Sequence, residues 1–404
     1  MTTALIIGGG VAGPVAAMAL QKAGIEPRVF EAYDKSAEGI GANLVLAVNG
    51  RSALLELGIT TALDAGFDIP YNRYFMGSGR RLSKVANGKQ LDDGTVSRAV
   101  KRGDLYGALR DEALRRDIHV EFGMRFIGAE NTADGVVARF ENGTEVHGDL
   151  LIGADGLHST VRTIIDPNAP KPRYGRLINT GGYARDISVP GEPGTEFMYL
   201  GKRCFFCYIH HPNGEIWWYA APSWPNEPSR EELASITRED WRAHLCELFA
   251  KDNTPAVDII KATPEIWAPW PINDLPTVPR WSNGRMLLIG DSVHAVSPTA
   301  GQGASMAIED SLVLGKCLRD IPDIPEAMAT FERIRRPRVE KVVSFGRRAG
   351  DLLIVGSQAR RRARDLLMPL FFKRIALNEA AALSWVYDHR IPWDEPISPQ
   401  PAPA

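Results

Sequence analysis

A chain of 404 residues with 44% hydrophobic residues can bury a large core and form more than one domain. Its 47 basic and 49 acidic residues leave a formal net charge of −2, which gives no electrostatic case for nucleic acid as a partner. Four cysteines (Cys204, Cys207, Cys246 and Cys317) are too few and too scattered for a disulfide framework, so a reducing cytoplasm is expected. No apolar run approaches the length of a membrane span.

The start of the chain has the pattern of a dinucleotide-binding unit. An apolar run over Ala4–Ile7 predicts a buried parallel strand, followed by a helix over Pro14–Ala23 and a second strand over Glu26–Phe30. Because the first strand begins at once, no signal peptide is expected before it. The turn between the first strand and the helix fits GxGxxG and reads Gly8-Gly9-Gly10-Val11-Ala12-Gly13.

Each position in this unit has a physical reason. Gly8 permits the tight turn, Gly10 lets the backbone approach a pyrophosphate, and Gly13 lets helix and strand pack closely. The helix N-terminus offers unpaired N–H groups to the phosphates. Glu31, at the end of the second strand, can accept hydrogen bonds from ribose hydroxyls and would repel a ribose phosphate, which favours FAD or NAD over NADP. The alternative is a glycine-rich turn that binds nothing.

The elements after Glu31 alternate between helices and short strands, until an aromatic-rich stretch predicts an antiparallel sheet. Up to residue 149 we expect a glycine-rich loop at Gly39–Leu44, a helix capped by Asn49 through Arg51–Leu57, short strands within Tyr71–Val96, a helix over Arg102–Arg116, and strands at His119–Phe122 and Val136–Phe140 with a hairpin at Asn142-Gly143. A strand from Asp149 follows, and then the antiparallel sheet over Arg173–Asp274 with a helix at Arg230–Ala250. The last part of the chain is expected to contain a strand from Met286, a helix over Gly303–Leu318, further helix to about Tyr387, and a peripheral tail after Ile391.

Two further glycine-bearing turns follow apolar strands. The second motif of the chain reads Gly153-Ala154-Asp155-Gly156-Leu157-His158-Ser159-Thr160-Val161-Arg162. The third motif reads Gly290-Asp291-Ser292-Val293-His294-Ala295-Val296-Ser297-Pro298-Thr299-Ala300-Gly301-Gln302-Gly303.

In order and spacing, the three motifs resemble those of the single-component FAD-dependent aromatic hydroxylases, the class A flavoprotein monooxygenases that include p-hydroxybenzoate hydroxylase. The resemblance extends from Ala4 to about Asp394, and Arg102 matches the family arginine that contacts FAD. It implies an α/β fold with a Rossmann-like FAD-binding domain, an inserted, mainly antiparallel β-sheet substrate domain and a helical C-terminus. The expected boundaries are 1–72, 97–172 and 278–356 for the FAD-binding domain, 73–96 and 173–277 for the substrate domain, and 357–404 for the C-terminal helical segment and tail.

The resemblance also implies roles in cofactor binding. Asp291 is suited to accept hydrogen bonds from the ribityl chain, and N–H groups at the start of the following helix can stabilise negative charge on a reduced flavin. Asp155 has the alternative of a turn residue that caps the helix beginning near Ser159. The cofactor-binding set is Gly8, Gly10, Val11, Ala12, Gly13, Glu31, Arg102, Asp155, Asp291, Pro298, Gly301, Gln302, Gly303 and Ala304. Pro298 and His294 are the catalytic candidates, with a structural hydrogen bond as the alternative role of His294.

As the resemblance implies, NADH or NADPH reduces FAD, O2 adds to the reduced flavin, and the hydroperoxide hydroxylates an aromatic or polycyclic small molecule. The chain has no second GxGxxG, which agrees with transient docking of the nicotinamide donor. The same motifs would serve a Baeyer–Villiger insertion, an oxidative decarboxylation or a dehydrogenation. A flavin-bound carrier or sensor and an NAD-dependent dehydrogenase are the alternatives from other classes.

The inserted sheet should form the roof of the substrate pocket. Because alternate residues of a strand share a face, its apolar wall is expected to include Phe197, Tyr199, Phe206, Tyr208, Trp217 and Tyr219, with sheet core as the alternative for each. Four further groups could orient a phenolate or carboxylate, or be exposed charges: Arg73, Arg185, Arg203 and His210. No metal is expected, because strand alternation separates Cys204 from Cys207. A monomer and a homodimer are both compatible with the helical C-terminus.

Overall fold

Two large sheets, one parallel and one mainly antiparallel, carry the fold. The computed structural model describes residues 2–34, 42–354, 358–377 and 383–397. Positions 39–41 of the predicted glycine-rich loop and the tail from residue 398 lie outside these residues.

Nineteen strands are present in the described residues. They are β1 (Thr3–Ile7), β2 (Glu26–Phe30), β3 (Asn43–Leu46), β4 (Phe67–Asp68), β5 (Tyr71–Met76), β6 (Arg81–Ala86), β7 (Arg98–Lys101), β8 (His119–Glu121), β9 (Phe126–Asn131), β10 (Val136–Phe140), β11 (Glu145–Gly148), β12 (Leu150–Gly153), β13 (Arg173–Ala184), β14 (Thr195–Leu200), β15 (Cys204–His210), β16 (Ile216–Pro222), β17 (Trp270–Asp274), β18 (Ser282–Asn283) and β19 (Met286–Leu288).

Of the helices in the described residues, five lie before β13, three lie in the 230–262 stretch and five lie in the last third of the chain. They are α1 (Ala12–Lys22), α2 (Val48–Glu56), α3 (Thr61–Asp64), α4 (Arg102–Arg115), α5 (Thr160–Ile165), α6 (Arg230–Ser235), α7 (Arg238–Phe249), α8 (Ala256–Ala262), α9 (Asp291–His294), α10 (Gly303–Asp320), α11 (Ile324–Leu353), α12 (Gln358–Leu377) and α13 (Ser384–Tyr387), with a 3-10 turn at Pro298–Ala300. Within the described residues, none of these helices is long and apolar enough to cross a membrane.

The parallel sheet has the strand order β18-β19-β12-β1-β2-β8, with an antiparallel pairing only between β18 and β19. Its central strands are continuous apolar runs because helices or further sheet cover both of their faces, and Ile6, Ile152 and Leu287 are fully buried. The strands β1, β12 and β19, which precede the three glycine turns, are adjacent. The carboxyl ends of these strands therefore bring the three turns to one edge of the sheet.

The second large sheet has the order β17-β13-β16-β15-β14-β5-β6, and only the pairing of β14 with β5 is parallel. One face packs against α7 and α8, where Trp241, Leu245 and Ile259 are buried. The other face contacts Leu353 of α11 and Phe372 of α12. Each face of this sheet is therefore covered by a different part of the chain.

Three local predictions need correction. The helix expected over 230–250 is two helices, because the hydroxyls of Ser229 and Thr237 each cap a separate N-terminus. Asn49 does not cap α2, which begins after Ala47. The tail after Ile391 is not peripheral, since Trp393 is 9% exposed and stacks under the Arg319 guanidinium, 4.7 Å from its ring centroid.

Candidate active site

The three glycine turns touch one another at the carboxyl edge of the parallel sheet. A Cβ atom added to Gly8 would lie 2.4 Å from the Ala154 carbonyl oxygen, so the first and second motifs are in contact. A Cβ atom on Gly290 would lie 3.4 Å from the Cβ atom of Ala12, which joins the third motif to the first. Motifs that are far apart in sequence therefore form one cleft.

Hydrogen bonds lock the second motif to the third. Arg162 is buried and donates to the Ser292 carbonyl oxygen over 2.8 Å. The Ser292 hydroxyl donates to the carbonyl oxygen of Gly153 over 2.7 Å. These bonds fix the position of the two turns relative to each other.

The first turn has the geometry of a phosphate cradle. Gly8 has a φ of +110°, and a Cβ atom on Gly13 would lie 1.9 Å from the Gly8 carbonyl oxygen, so both positions require glycine. Gly10 differs, because a Cβ atom there would meet nothing within 4 Å. The open backbone at Gly10 lies beside the N-terminus of α1, which has no side-chain cap, so an anionic pyrophosphate fits here.

Glu31 holds its carboxylate at the end of β2, on the same cleft. Its Oε2 atom accepts a hydrogen bond from the Gly9 amide over 2.7 Å. Burial raises the pKa of the nearby Tyr106 hydroxyl, and the carboxylates of Asp291 and Glu31 add to that rise while Arg102 opposes it. Groups from the first motif, from α4 and from the third motif therefore act on one another across the cleft.

Asp291 presents its carboxyl group to the cleft. Its side chain is exposed there, although protein surrounds it on the other sides. This surrounding protein raises the pKa of the Asp291 carboxyl, and the charges of His294 and Arg102 only partly offset the rise. An acceptor that is so placed suits the hydroxyl groups of a polyol chain.

The loop after Asp291, which we call the flavin loop (residues 295–302), leads into α10. Gly301 has a φ of +60°, and a Cβ atom there would meet nothing within 4 Å. Gln302 is the N-cap residue of α10, and its side chain makes no capping hydrogen bond. The N–H groups at Gly303 and Ala304 thus begin a helix of 18 residues beside open space, which suits a group that carries negative charge.

A family model described as "FAD binding domain" matches residues 1–346. The chain belongs to this family. It is a class A flavoprotein monooxygenase that depends on FAD, as the three motifs predicted, and the predicted α/β fold class is confirmed.

Relatives agree over nearly the whole chain. Aurachin C monooxygenase/isomerase of Stigmatella aurantiaca is 30% identical over 355 residues, which cover 87% of this chain and 89% of that protein. FAD-dependent urate hydroxylase of Klebsiella pneumoniae is 31% identical over 356 residues, covering 86% and 90%. The crystal structure of Klebsiella pneumoniae HpxO complexed with FAD and uric acid has a TM-score of 0.82 and 27% identity, and covers 95% of this chain and 97% of that one.

Two of the predicted residues of this monooxygenase make local structural contacts. The Asp155 carboxylate accepts from the Thr160 amide over 2.7 Å and from the Ser159 hydroxyl over 2.5 Å, so it caps α5 as the alternative proposed. His294 is 3% exposed and its Nε2 atom lies 2.5 Å from the carboxylate of Asp310. The structural hydrogen bond named as the alternative for His294 is therefore present.

The six aromatic residues expected in the pocket wall, with sheet core as the alternative for each, do not share a face. The ladder aligns Phe197 with Tyr208 and Cys207 with Tyr219, so the two aromatic sets alternate. Four residues lie in the core between the sheet and α7 and α8: Phe197, Tyr199, Phe206 and Tyr208. Trp217 and Tyr219 lie on the opposite face, which we call the pocket face.

The four polar candidates have partners elsewhere. Arg73 pairs with Glu192, Arg185 with Glu215, and Arg203 with Glu247. His210 lies 3.1 Å from the Pro190 carbonyl oxygen. Cys204 belongs to the helix-covered core and Cys207 to the pocket face, so the two thiols point apart, as strand alternation requires.

Sequence reasoning missed a buried ion network behind the flavin loop. Arg335 donates to Asp310 over 2.7 Å and to Glu309 over 2.8 Å, and all three residues are almost fully buried. Asn49 donates to Glu309 and to the Gln302 side chain over 2.7 and 3.0 Å. Burial alone would raise the pKa of Asp310, but the charges of His294 and Arg335 lower it to about 2. An ionised Asp310 therefore anchors the Gly290 amide, to which it is bonded over 2.8 Å.

Proposed function

We propose that this FAD-dependent monooxygenase uses NADH or NADPH as its electron donor and adds one oxygen atom of O2 to an aromatic or polycyclic small molecule. The convergence of three glycine turns on one cleft, next to a sheet with its own buried face, is the observation that carries the proposal. The names of the relatives support it, since urate is a small heteroaromatic molecule and one solved neighbour is complexed with uric acid.

The residues of the cleft fit FAD part by part. We assign the pyrophosphate to Gly8, Gly10, Val11, Ala12 and Gly13, the ribose to Glu31, and the ribityl hydroxyls to Asp291. When bound, FAD supplies the two-electron chemistry and the activation of O2, which no side chain can provide. A further set of residues is assigned to the rest of the cofactor: Arg102, Asp155, Pro298, Gly301, Gln302, Gly303 and Ala304.

The chain itself must hold the substrate in place and keep water away. The pocket face and the flavin loop approach each other at a small hollow, which is lined by Leu177 and Ile272 of the sheet, Ser297 of the loop and Arg347 of α11. Side chains on that face can orient an electron-rich ring against the cofactor and exclude water from the reacting atoms. We propose Trp217 and Tyr219 as members of this wall.

The organisation of the protein is part of the proposal. We divide the chain into an FAD-binding domain (1–72, 97–172 and 278–356), a substrate domain (73–96 and 173–277) and a C-terminal segment (357–404). The four cysteines are free thiols, which supports a reducing cytoplasmic location. The helical C-terminus is compatible with a monomer or a homodimer.

Turnover with isotopically labelled O2 tests the function. Purified protein should be yellow, and candidate aromatic substrates should accelerate its oxidation of NADH or NADPH. The product should carry one atom from O2, and label that enters only from water would refute the hydroxylation. Product analysis also detects a Baeyer–Villiger, decarboxylation or dehydrogenation outcome, and a coloured protein that consumes no donor would indicate a carrier or sensor.

A further inference from the structure

The pocket face of the antiparallel sheet carries a buried carboxyl group that the catalytic cleft does not account for. Glu196 on β14 is 7% exposed, and its register partner on β5 is Asn72, which is 6% exposed. Alternation places Glu196 on the same face as Met198 and Leu200, away from the core that contains Phe197. Glu196 and Asn72 are thus neighbours on the face that borders the flavin loop.

Groups from four other elements surround this carboxyl group. The Cys207 thiol of β15 and the hydroxyls of Tyr74 on β5 and Tyr219 on β16 lie close enough to interact with its charge. Tyr387 of α13 lies near both Glu196 and the side chain of Gln302. Tyr387 therefore connects the carboxyl group of the sheet to the flavin loop.

Glu196 differs from the other buried glutamates in the described residues. Glu112, Glu215 and Glu309 each accept hydrogen bonds from arginine side chains. No arginine or lysine of the described chain is among the groups that act on Glu196. A buried carboxyl group without a cation costs stability, so its presence calls for a physical explanation.

Asn72 gives an independent indication of a missing partner. Its Oδ1 atom is buried and has no hydrogen-bond donor among the described residues. The amide and carboxyl groups thus present neighbouring acceptors, and the other polar groups near them are a thiol and phenols. A ligand that matches these acceptors must offer hydrogen-bond donors and carry no negative charge.

We propose that Glu196 and Asn72 form an acceptor subsite for the N–H or O–H groups of an uncharged, nitrogen-containing aromatic substrate, and that this subsite rejects a substrate carboxylate. The proposal rests on the proposed function, since it names the substrate class of the same pocket. A carboxylate that accepts hydrogen bonds from ring substituents also raises the electron density of the ring, which oxygen transfer requires.

The test compares two ligands of nearly the same shape. The FAD-loaded full-length enzyme is titrated by calorimetry with 4-hydroxybenzamide, which offers N–H donors, and with 4-hydroxybenzoate, which carries the charge. We expect the amide to bind at least tenfold more tightly to the wild-type enzyme. In Glu196→Gln this preference should fall below threefold, because the carboxyl charge is gone and an N–H donor has replaced an acceptor.

Controls separate a binding role from a structural role. Glu192→Gln removes an exposed carboxylate that precedes β14 and should keep the wild-type preference. Asn72→Ala should weaken amide binding in the same direction as Glu196→Gln. The FAD content of each variant reports whether it has folded.

The binding of the amide should also depend on pH. Amide binding to the wild-type should weaken below about pH 7, where Glu196 takes up a proton. Burial raises the pKa of each titratable neighbour well above this range, and these neighbours are Cys207, Tyr74, Tyr219 and Tyr387. The amide affinity of Glu196→Gln should therefore not change with pH in this range.

Several results would overturn the subsite. They are equal affinity of the wild-type for the two ligands, binding of neither, or an unchanged preference in Glu196→Gln with full FAD content. These measurements do not depend on turnover. If the amide binds as expected but no ligand gives an O2-derived product, the subsite stands and the proposed function fails.

Discussion

The glycines of the first turn are required for different physical reasons. Gly13 needs the absence of a side chain for the fold itself, because a Cβ atom there would lie 1.9 Å from the Gly8 carbonyl oxygen. Gly10 has open space at the same atom, so the fold alone does not require glycine there. The structure therefore separates a glycine that shapes the turn from one that leaves room for a ligand.

This difference predicts opposite outcomes for two small substitutions. Gly10→Ala should fold normally but bind FAD at least tenfold more weakly, since the methyl group occupies the space of the pyrophosphate, whereas Gly13→Ala should not yield a folded flavoprotein. Thermal unfolding of the apoprotein and FAD titration measure the two effects. Gly128→Ala on β9, where the added methyl also meets nothing within 4 Å, should change neither. Normal FAD affinity in Gly10→Ala would contradict the cradle.

The burial of the Glu196 carboxyl group also leads to a prediction about the stability of the protein. Burial raises the pKa of its carboxyl group from 4.5 to about 7, so ionisation is harder in the folded protein than in the unfolded chain. Its contribution to folding is full below pH 4.5 and is lost as the pH rises through 7. The difference of about 2.5 in pKa corresponds to ~3 kcal/mol at most.

The measurement is thermal unfolding at pH 5 and pH 8. Glu196→Gln should be as stable as the wild-type at pH 5 and more stable at pH 8, because the glutamine has no charge to bury. Glu192→Gln should follow the wild-type at both values. A wild-type advantage at pH 8 would mean that Glu196 has a cation partner after all.

At the scale of elements, α10 and α11 hold the flavin loop through buried charges. Glu309 and Asp310 of α10 bind Arg335 of α11, and Arg338 adds two hydrogen bonds of 2.8 Å to Glu309. Burial alone would raise the pKa of Glu309, but the charges of Arg335 and Arg338 lower it to about 2. The network is thus ionised at neutral pH, and its members depend on one another.

Removal of the central cation should therefore be costly. Arg335→Met leaves two buried carboxylates with fewer partners and should destabilise the protein by about 3–5 kcal/mol. The matched variant Arg333→Met, on the same helix, breaks a half-exposed pair with Glu326 and should cost under about 1 kcal/mol. Denaturant unfolding compares the two variants. Similar losses in both would show that the buried network does not hold α10 against α11.

At the scale of the whole molecule, the sequence predicted what consecutive residues encode. The strand, turn and helix around Gly8 to Gly13 are local, and so is the strand-to-glycine transition at Gly290, so both could be identified without coordinates. Glu196, Asn49 and Tyr387 could not, because their partners lie far away along the chain. Strand alternation separates Phe197 from Met198, but it does not indicate which face the helices cover, so the sequence left both sheet core and pocket wall open for each aromatic residue.

The C-terminal segment is the clearest case of such a long-range contribution. Its Trp393 amide donates to Glu56 over 2.7 Å, and Arg338 donates over 2.7 Å to the carbonyl oxygen of Trp385 in α13. These contacts hold the segment that brings Tyr387 to the pocket. Residues 385–393, which are anchored at both ends in this way, should help to exclude water from the reacting atoms.

Trp393→Ala tests this coupling between anchor and pocket. Loss of a nearly buried indole should cost about 3–5 kcal/mol and loosen the segment that carries Tyr387. We expect a smaller fraction of the oxidised NADH or NADPH to yield product and a larger fraction to yield hydrogen peroxide, which a peroxidase assay measures. Ile127→Ala, which trims a side chain that is 56% exposed on β9, should leave this fraction unchanged. If Trp393→Ala lowers stability but keeps the product yield, the segment only stabilises the fold and does not shield the pocket from water.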